Sequence, residues 1–375
     1  FHNLVASGLP GVALSLFLST FSRKLFDSRF CTFLLQLFVV HFVISSISGL
    51  VLETGLDLHW PGLEHSLVPL VNHRFGRSAA FAFLLISILT WALLGKRPVV
   101  VWKVMTLLIC VSSFFLSGWS VIINSWMQNP EIAICNNGIV EVSEFGLQQL
   151  WGFISRPYIL ARLFHHYQAS LLIGVFWVLV FLSFGSTVSS PHISVALEGV
   201  QTKLLALCWA ILLVQPILGH IKFKEIAKSQ PLKASAIEGY YVETGEAMRI
   251  YPLGITDSMQ KTTEGLALPI TISNSLIRSL DAPLQALSSQ PQEKWPPIER
   301  VFYSFRVMVI CWGVLFLLTS LLFYAGIAGR RNTFLTILAL ALSILAASAG
   351  WVVSESGRLP WIIYDVITVS DAISE

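Results

Sequence analysis

Charge is what this 375-residue chain has least of. Asp, Glu, Lys and Arg together make up 12% of it, about half the roughly 25% of an ordinary soluble domain. Hydrophobic residues make up 55%, and the mean hydropathy is +0.72. Charge this sparse, spread along the whole length, excludes a disordered chain, a nucleic-acid-binding surface and a soluble domain on a single anchor. Paired cysteine motifs are missing too. Cys31, Cys110, Cys135, Cys208 and Cys311 form no C-x-x-C and no C-x-x-C-H, which excludes a zinc ribbon and a covalently attached c-type haem. No stretch of about ten residues alternates apolar with polar, so a membrane β-barrel is excluded as well. The chain opens on Phe1 inside an apolar segment, and natural sequence upstream of it is expected. What remains is a polytopic helical membrane protein.

Apolar stretches able to cross about 30 Å of hydrocarbon fall at 1–20, 31–51, 78–95, 99–126, 158–184, 195–220, 301–327 and 333–354. They predict an all-α transmembrane bundle with eight spans. The connections alternate in charge. One side carries Arg23, Lys24 and Arg29, then Lys96, Arg97 and Lys103, then Arg330 and Arg331; the other carries Glu53, Asp57 and Glu64, then Glu131, Glu141 and Glu144. Basic residues in short loops mark the cytoplasmic side, which places residue 1 outside, with Arg74, Arg77 and Arg156 as exceptions. The connection 221–299 is polar, punctuated by Pro231, Pro252, Pro269, Pro283, Pro291, Pro296 and Pro297, and too long for a mere linker. The chain therefore divides into 1–220 with six spans, an external loop at 221–299, and 300–375 with two spans and an outer C-terminal segment.

Ionisable residues inside spans are costly and mark functional sites by default. Here they gather at outer helix ends. His2 opens the first span; Arg162, His165 and His166 lie in the first turns of the fifth; Arg306 and Met308 lie in the first turns of the seventh; Glu355 and Arg358 follow the eighth; Trp126, Gln128 and Asn129 end the fourth. Each alone has a bland reading: an interfacial histidine, a packing methionine, an arginine snorkelling to the headgroups. Together at one depth they indicate a bound polar group. His and Met are axial ligands for haem iron, and Arg suits the haem carboxylates. His41 lies mid-span without an evident partner and reads as structural. His59, His65, His73, His192 and His220 read as solvated loop or boundary residues.

Three strings carry a resemblance: GWVVSESGRLPW at 350–361, NSWMQNP at 124–130 and QPLKASAIEG at 230–239, supported by the opening Phe1-His2, GLVLE at 49–53 with Trp60, and FRVM at 305–308. In order and spacing, over essentially the whole chain, they resemble the large, haem-bearing subunit of the cytochrome bd-type quinol oxidases. The resemblance implies a bundle of nine spans with a long external Q-loop, so a ninth span is expected beyond Glu375. It implies that His165 and Met308 are the axial ligands of a low-spin haem b, with His166 as the alternative register. His2 and Glu355 match ligands of two active-site haems, a high-spin haem b and a haem d or further haem b. Trp351, Arg358, Arg306 and Trp126 match residues packed around the haems. Lys233 and Glu238 match the pair associated with quinol oxidation in the Q-loop, Glu238 to accept a proton and Lys233 to steady the developing oxyanion; five-residue spacing is not that of a helix salt bridge, so both are expected to point at one head group. The implied activity is quinol:oxygen oxidoreduction, with Glu355 and Arg358 at the oxygen-reducing end. The implied partners are a smaller membrane subunit, small single-helix subunits, membrane lipid and quinol, with no nucleic acid, in a prokaryotic cytoplasmic membrane with the haems toward the outer face.

One absence runs against the family pattern. After Phe75-Gly76 the family carries two glutamates about two turns apart; here those positions fall near Ala82 and Thr90, and 78–95 contains no acid. Two readings stay open: an oxidase taking protons by another route, such as Ser87 and Thr90 with water, or a paralogue that oxidises quinol but has lost or altered oxygen reduction. A third, of another class, is a non-catalytic assembly or transport subunit on the same fold.

Overall fold

The computed structural model describes residues 9–21, 28–59, 99–130, 134–136, 139–141, 147–188, 191–243, 250–269, 271, 273, 275–276, 280, 284–327 and 332–374. In chain order the elements are α1 (Leu9–Phe21), α2 (Ser28–His59), α3 (Val99–Gln128), β1 (Ile134–Asn136), β2 (Ile139–Glu141), α4 (Leu147–Ile154), α5 (Pro157–Val188), α6 (Pro191–Ser229), α7 (Pro231–Glu238), β3 (Leu253–Asp257), β4 (Thr262–Leu266), α8 (Ile298–Ile327), α9 (Thr333–Ser356), β5 (Trp361–Ile363), β6 (Ile367–Thr368) and α10 (Val369–Ser374). Each pair of consecutive strands forms a separate antiparallel hairpin. Helices dominate because a backbone surrounded by hydrocarbon must satisfy its own hydrogen bonds. Among the described residues, α2, α3, α5, α6, α8 and α9 are long and apolar enough to cross a membrane, and α1 contributes the shorter apolar stretch Leu9–Leu18. The predicted 78–95 span lies outside the described residues, as does His2.

The helices outrun their apolar stretches. α6 continues nine residues past the expected end of its span, to Ser229. Lys222, Lys224, Glu225 and Lys228 are polar but good helix formers, and Glu225 pairs with Lys228 one turn on at 3.2 Å. The long connection therefore starts at Gln230, not at 221. The helix stops there because Pro231 offers no N–H and forces Gln230 out of helical geometry (φ −139°, ψ 67°).

α5 is the hub, packing against α1, α3, α6 and α9, while α8 closes the bundle against α6 and α9. At the α1–α5 crossing Gly11 faces Gly174, and a Cβ on Gly174 would come 2.2 Å from the Gly11 carbonyl carbon; only glycine lets the backbones approach this closely. Pro216, inside α6, cannot donate to the Leu212 carbonyl four residues back. Trp312 of α8 donates its indole N–H to that oxygen at 2.8 Å, so the helix defect becomes an interhelical tie. α7 packs between α6 and α8 with nearly every side chain buried. Its end is capped by Gly239 at φ 66°, where a Cβ would also strike Thr263 Oγ1 at 2.4 Å. After α9 the chain turns back through β5 and β6, and the Tyr364 N–H donates to the Met127 carbonyl at the end of α3 at 2.9 Å. Four chain segments thus meet at one end of the bundle: the C-terminal ends of α3 and α9, the N-terminal end of α5, and α7.

Candidate functional site

A cavity of about 410 Å³ lies among α5, α6, α8 and α9 at that end and is also lined by residues of the long connection. Its walls are chiefly apolar, with a few polar groups converging on it, as ligand sites of 300–1,000 Å³ commonly are. α5 contributes His165 and His166, one turn past Arg162; α8 contributes Met308; α9 contributes Gly350 and Trp351. The two histidines differ. His166 shares a 2.7 Å hydrogen bond with Ser117 of α3 and meets Trp351 edge-on. Nδ1 of His165 is buried without a hydrogen-bond partner, and the ring faces Gly219 of α6, where a Cβ would lie 3.7 Å from it. Met308 sits opposite Gly350, where a Cβ would lie 3.2 Å from its sulfur. One uncommitted imidazole and one thioether, each beside a glycine on an apolar wall, are donors of the kind that would hold a haem iron. Among the described residues no three His, Cys, Asp or Glu side chains cluster as a closed metal site would require.

Beside the cavity a polar network joins α3, α5, α7 and α9. Asn124 donates to Glu355 Oε1 at 2.7 Å, and Arg358 donates to Glu355 Oε2 at 3.1 Å. Gln128 donates to Asn124 Oδ1 at 3.0 Å and to Ser354 Oγ at 2.9 Å. Arg162 donates to Asn124, to Tyr158 Oη at 3.1 Å and to Ser354 Oγ at 3.1 Å. Lys233 reaches in from α7 and donates to Gln128 Oε1 at 2.6 Å and to the Ser354 carbonyl at 2.9 Å. Three basic side chains thus surround one carboxylate. Burial first, and then Arg162, hold the Lys233 amine well below the usual lysine range, with Glu355 opposing. Nε and Nη1 of Arg358 are buried with no partner. Surplus buried donors of this kind suit an anionic group.

Glu238 lies elsewhere. It lines the cavity, and its Oε2 is 3.6 Å from Arg306 Nη2 of α8. Arg306 also donates to the carbonyls of Ile237 and Tyr251 and stacks over Phe302. Burial raises the Glu238 pKa, and Arg306 works against that rise. One expectation changes. Lys233 and Glu238 do not point at one place: both are on α7, where five residues amount to roughly 140° around the axis. Arg306 meets the cavity through Glu238, its guanidinium clasping that carboxylate and the loop backbone.

The structure brings His165, Met308, Trp351 and Glu238 to one cavity and Lys233, Glu355 and Arg358 to the adjoining network. Trp126 is fully buried in an apolar cluster with Phe153, Tyr158 and Ile363. His41 donates from Nδ1 to the Leu37 carbonyl at 3.0 Å and packs edge-on against Trp177, as a structural residue would. His220 departs from expectation: it lines the cavity, because α6 runs past the apolar stretch. Sequence reasoning gave no role to Tyr158, Ser354, Ser117 or Lys222. Tyr158, Ser354 and Lys222 carry one signal, polarity within a turn of a span end; Ser117, in the middle of α3, carries none.

Comparison with known proteins shows the family and the fold. The family described as cytochrome bd terminal oxidase subunit I matches residues 11–375. The chain is 23% identical over 366 residues to cytochrome bd ubiquinol oxidase subunit 1 of Bacillus subtilis (strain 168), covering 90% of this chain and 75% of that protein. It is 21% identical over 416 residues to cytochrome bd-II ubiquinol oxidase subunit 1 of Escherichia coli (strain K12), covering 90% and 79%. A chain of the solved bd oxidase from Geobacillus thermodenitrificans superposes with a TM-score of 0.79 at 19% identity, over 99% of this chain and 87% of that one. The chain belongs to the cytochrome bd terminal oxidase subunit I family: it is a multi-pass membrane oxidoreductase subunit of the respiratory chain.

Proposed function

We propose that this member of the cytochrome bd terminal oxidase subunit I family oxidises quinol at the outer face of a prokaryotic cytoplasmic membrane. Electrons pass from there through a low-spin haem b to a two-haem site that reduces oxygen. The observation that carries the reading is the cavity: His165 and Met308 line it from different helices, with an unpartnered ring nitrogen on His165 and glycines beside both. When bound, haem supplies one-electron transfer and, at the two-haem end, the reduction of oxygen. The chain's own residues do the rest. His165 and Met308 would hold the low-spin haem; Glu355, with His2, would hold the active-site haems, a high-spin haem b and a haem d or further haem b. Asn124 and Arg358 fix both oxygens of the Glu355 carboxylate, and the free donors of Arg358 suit a haem carboxylate. Trp351 lines the cavity, and Trp126 packs behind the network.

Glu238 is the proton acceptor. It faces the cavity from the Q-loop, and its raised pKa brings a carboxylate closer to the pH at which a general base works best. Arg306 opposes that rise and anchors the loop. The short-loop basic residues put the Q-loop outside, and the subunit pairs with a smaller membrane subunit and small single-helix subunits. A dithionite-reduced minus oxidised spectrum of the purified complex tests the reading. Low-spin, high-spin and chlorin-type or additional b-type bands are expected; low-spin bands alone would remove oxygen reduction.

The acid-free 78–95 segment supports a second reading, a paralogue that oxidises quinol and passes its electrons to another acceptor. Its signature is haem reducible by quinol without oxygen uptake.

A further inference from the structure

One basic side chain of the cavity has no part in that scheme. Lys222 lies on α6 one turn beyond Gly219, on the helix face that also presents Gln215, Phe223 and Ile226 to the cavity. It is within electrostatic range of His165, His166, Arg162 and Glu355. Lys222 makes no hydrogen bond or ion pair with the described residues. The charges around it do not balance. Glu238 is the one carboxylate in the cavity wall among the described residues, and Arg306 already answers it at 3.6 Å. Arg162, the neighbouring cation, directs its terminal nitrogens at Tyr158, Asn124 and Ser354. Glu355, the carboxylate within range, already has both oxygens bound by Asn124 and Arg358; an ammonium without its own partner beside apolar walls is expensive, so the cavity asks for an anion beside α6. The same cavity is lined with small and apolar groups, so that anion is the polar edge of a largely apolar molecule.

We infer that Lys222 pairs with a carboxylate of the haem held between His165 and Met308, and that its charge raises the reduction potential of that haem. The inference rests on the His165/Met308 assignment. Reduction adds one negative charge to the haem, and a nearby positive charge favours the reduced form. An anionic lipid headgroup offers the same charge chemistry, but it would leave the haem potential untouched.

The test uses the purified holo-complex with Lys222→Met and Lys222→Arg. Haem content is read from the pyridine haemochrome spectrum, and the midpoint potential from a redox titration of the low-spin band. Lys222→Met is expected to lower the midpoint potential or to lose low-spin haem, while Lys222→Arg retains both haem and potential. Unchanged or raised potential in Lys222→Met with full haem content overturns the pairing. Equal haem loss in the Met and Arg variants overturns it too, because only packing would then matter. His165→Ala serves as the separate control: if it keeps the low-spin band, the ligand assignment has failed, whatever Lys222 does.

Discussion

The Lys233 amine lies 2.9 Å from the carbonyl oxygen of Ser354, the residue before Glu355, and so ties α7 to the end of α9. Lys233→Met strips that carbonyl and Gln128 Oε1 of a donor. Each keeps a second donor, Gln128 Nε2 on the carbonyl at 3.1 Å and Tyr158 Oη on Gln128 Oε1 at 3.5 Å, so the cost is that of the lost hydrogen bonds, roughly 0.5–1.5 kcal/mol each. The expected outcome is a lower melting temperature and an altered carbon monoxide difference spectrum at the Glu355 haem, with the low-spin band intact. A large rise in KM for quinol at unchanged stability would instead place Lys233 at the head group.

Glu238 sets a pH dependence with a definite sign. Its carboxyl titrates above the ordinary glutamate value, near 4.3 in model peptides, and only the ionised form accepts a proton. Quinol oxidation should therefore fall on the acid side with a midpoint above that of a free carboxylate. Arg306 lowers the Glu238 pKa, so Arg306→Met should move the acid limb further up. An acid limb that stays put in Arg306→Met, or survives in Glu238→Gln, excludes Glu238 as the acceptor. In the folded protein the raised pKa binds a proton more tightly than in the unfolded chain. Stability from this group is thus present below the unfolded pKa and lost as pH rises through the folded one.

His165→Ala should abolish the low-spin haem band. His166→Ala should leave it, at the cost of the Ser117 hydrogen bond, roughly 0.5–1.5 kcal/mol, and of the edge-on contact with Trp351. Reduced-minus-oxidised spectra of the two variants decide the register, and the reverse pattern would move the ligand to His166.

Gly174→Leu places a side chain against the Gly11 backbone, which has no room for a Cβ. Overpacking typically costs 1–3 kcal/mol, more where backbone must move. The complex should lose thermal stability and yield, whereas the same change at Gly313, whose Cβ position is open, should not.

Placing acids at the two family positions tests the missing proton path. Ala82→Glu together with Thr90→Glu should raise quinol-dependent oxygen uptake if the chain has lost delivery by that route. Uptake that is already robust in the unmodified complex, and unchanged by the pair, supports another proton route.

Much of this was readable in one dimension. The apolar runs predicted α3, α5, α8 and α9 to within a few residues, because in lipid the number of apolar residues sets the span. The ends of α2 and α6 were not readable that way. Hydropathy reports where lipid stops, while a helix stops only at a breaker such as Pro231. His165 and Met308 could be named from the motifs around them, and the structure puts them on one cavity. Lys222 could not, since a lysine past a span's end looks solvated until the helix is seen to continue beside a cavity.

What the sequence by itself determined is the solvent and the place of the chemistry: scarce charge requires lipid, and His, Met, Arg and Glu at one set of helix ends point to a bound polar group, which the family resemblance names as haem. What only the tertiary structure decided is which of those side chains face one another. Lys233 and Glu238 sit five residues apart, yet one enters the Glu355 network and the other the His165 cavity. Helical geometry turns them about 140° apart, and the packing of α7 between α6 and α8 fixes what each then meets.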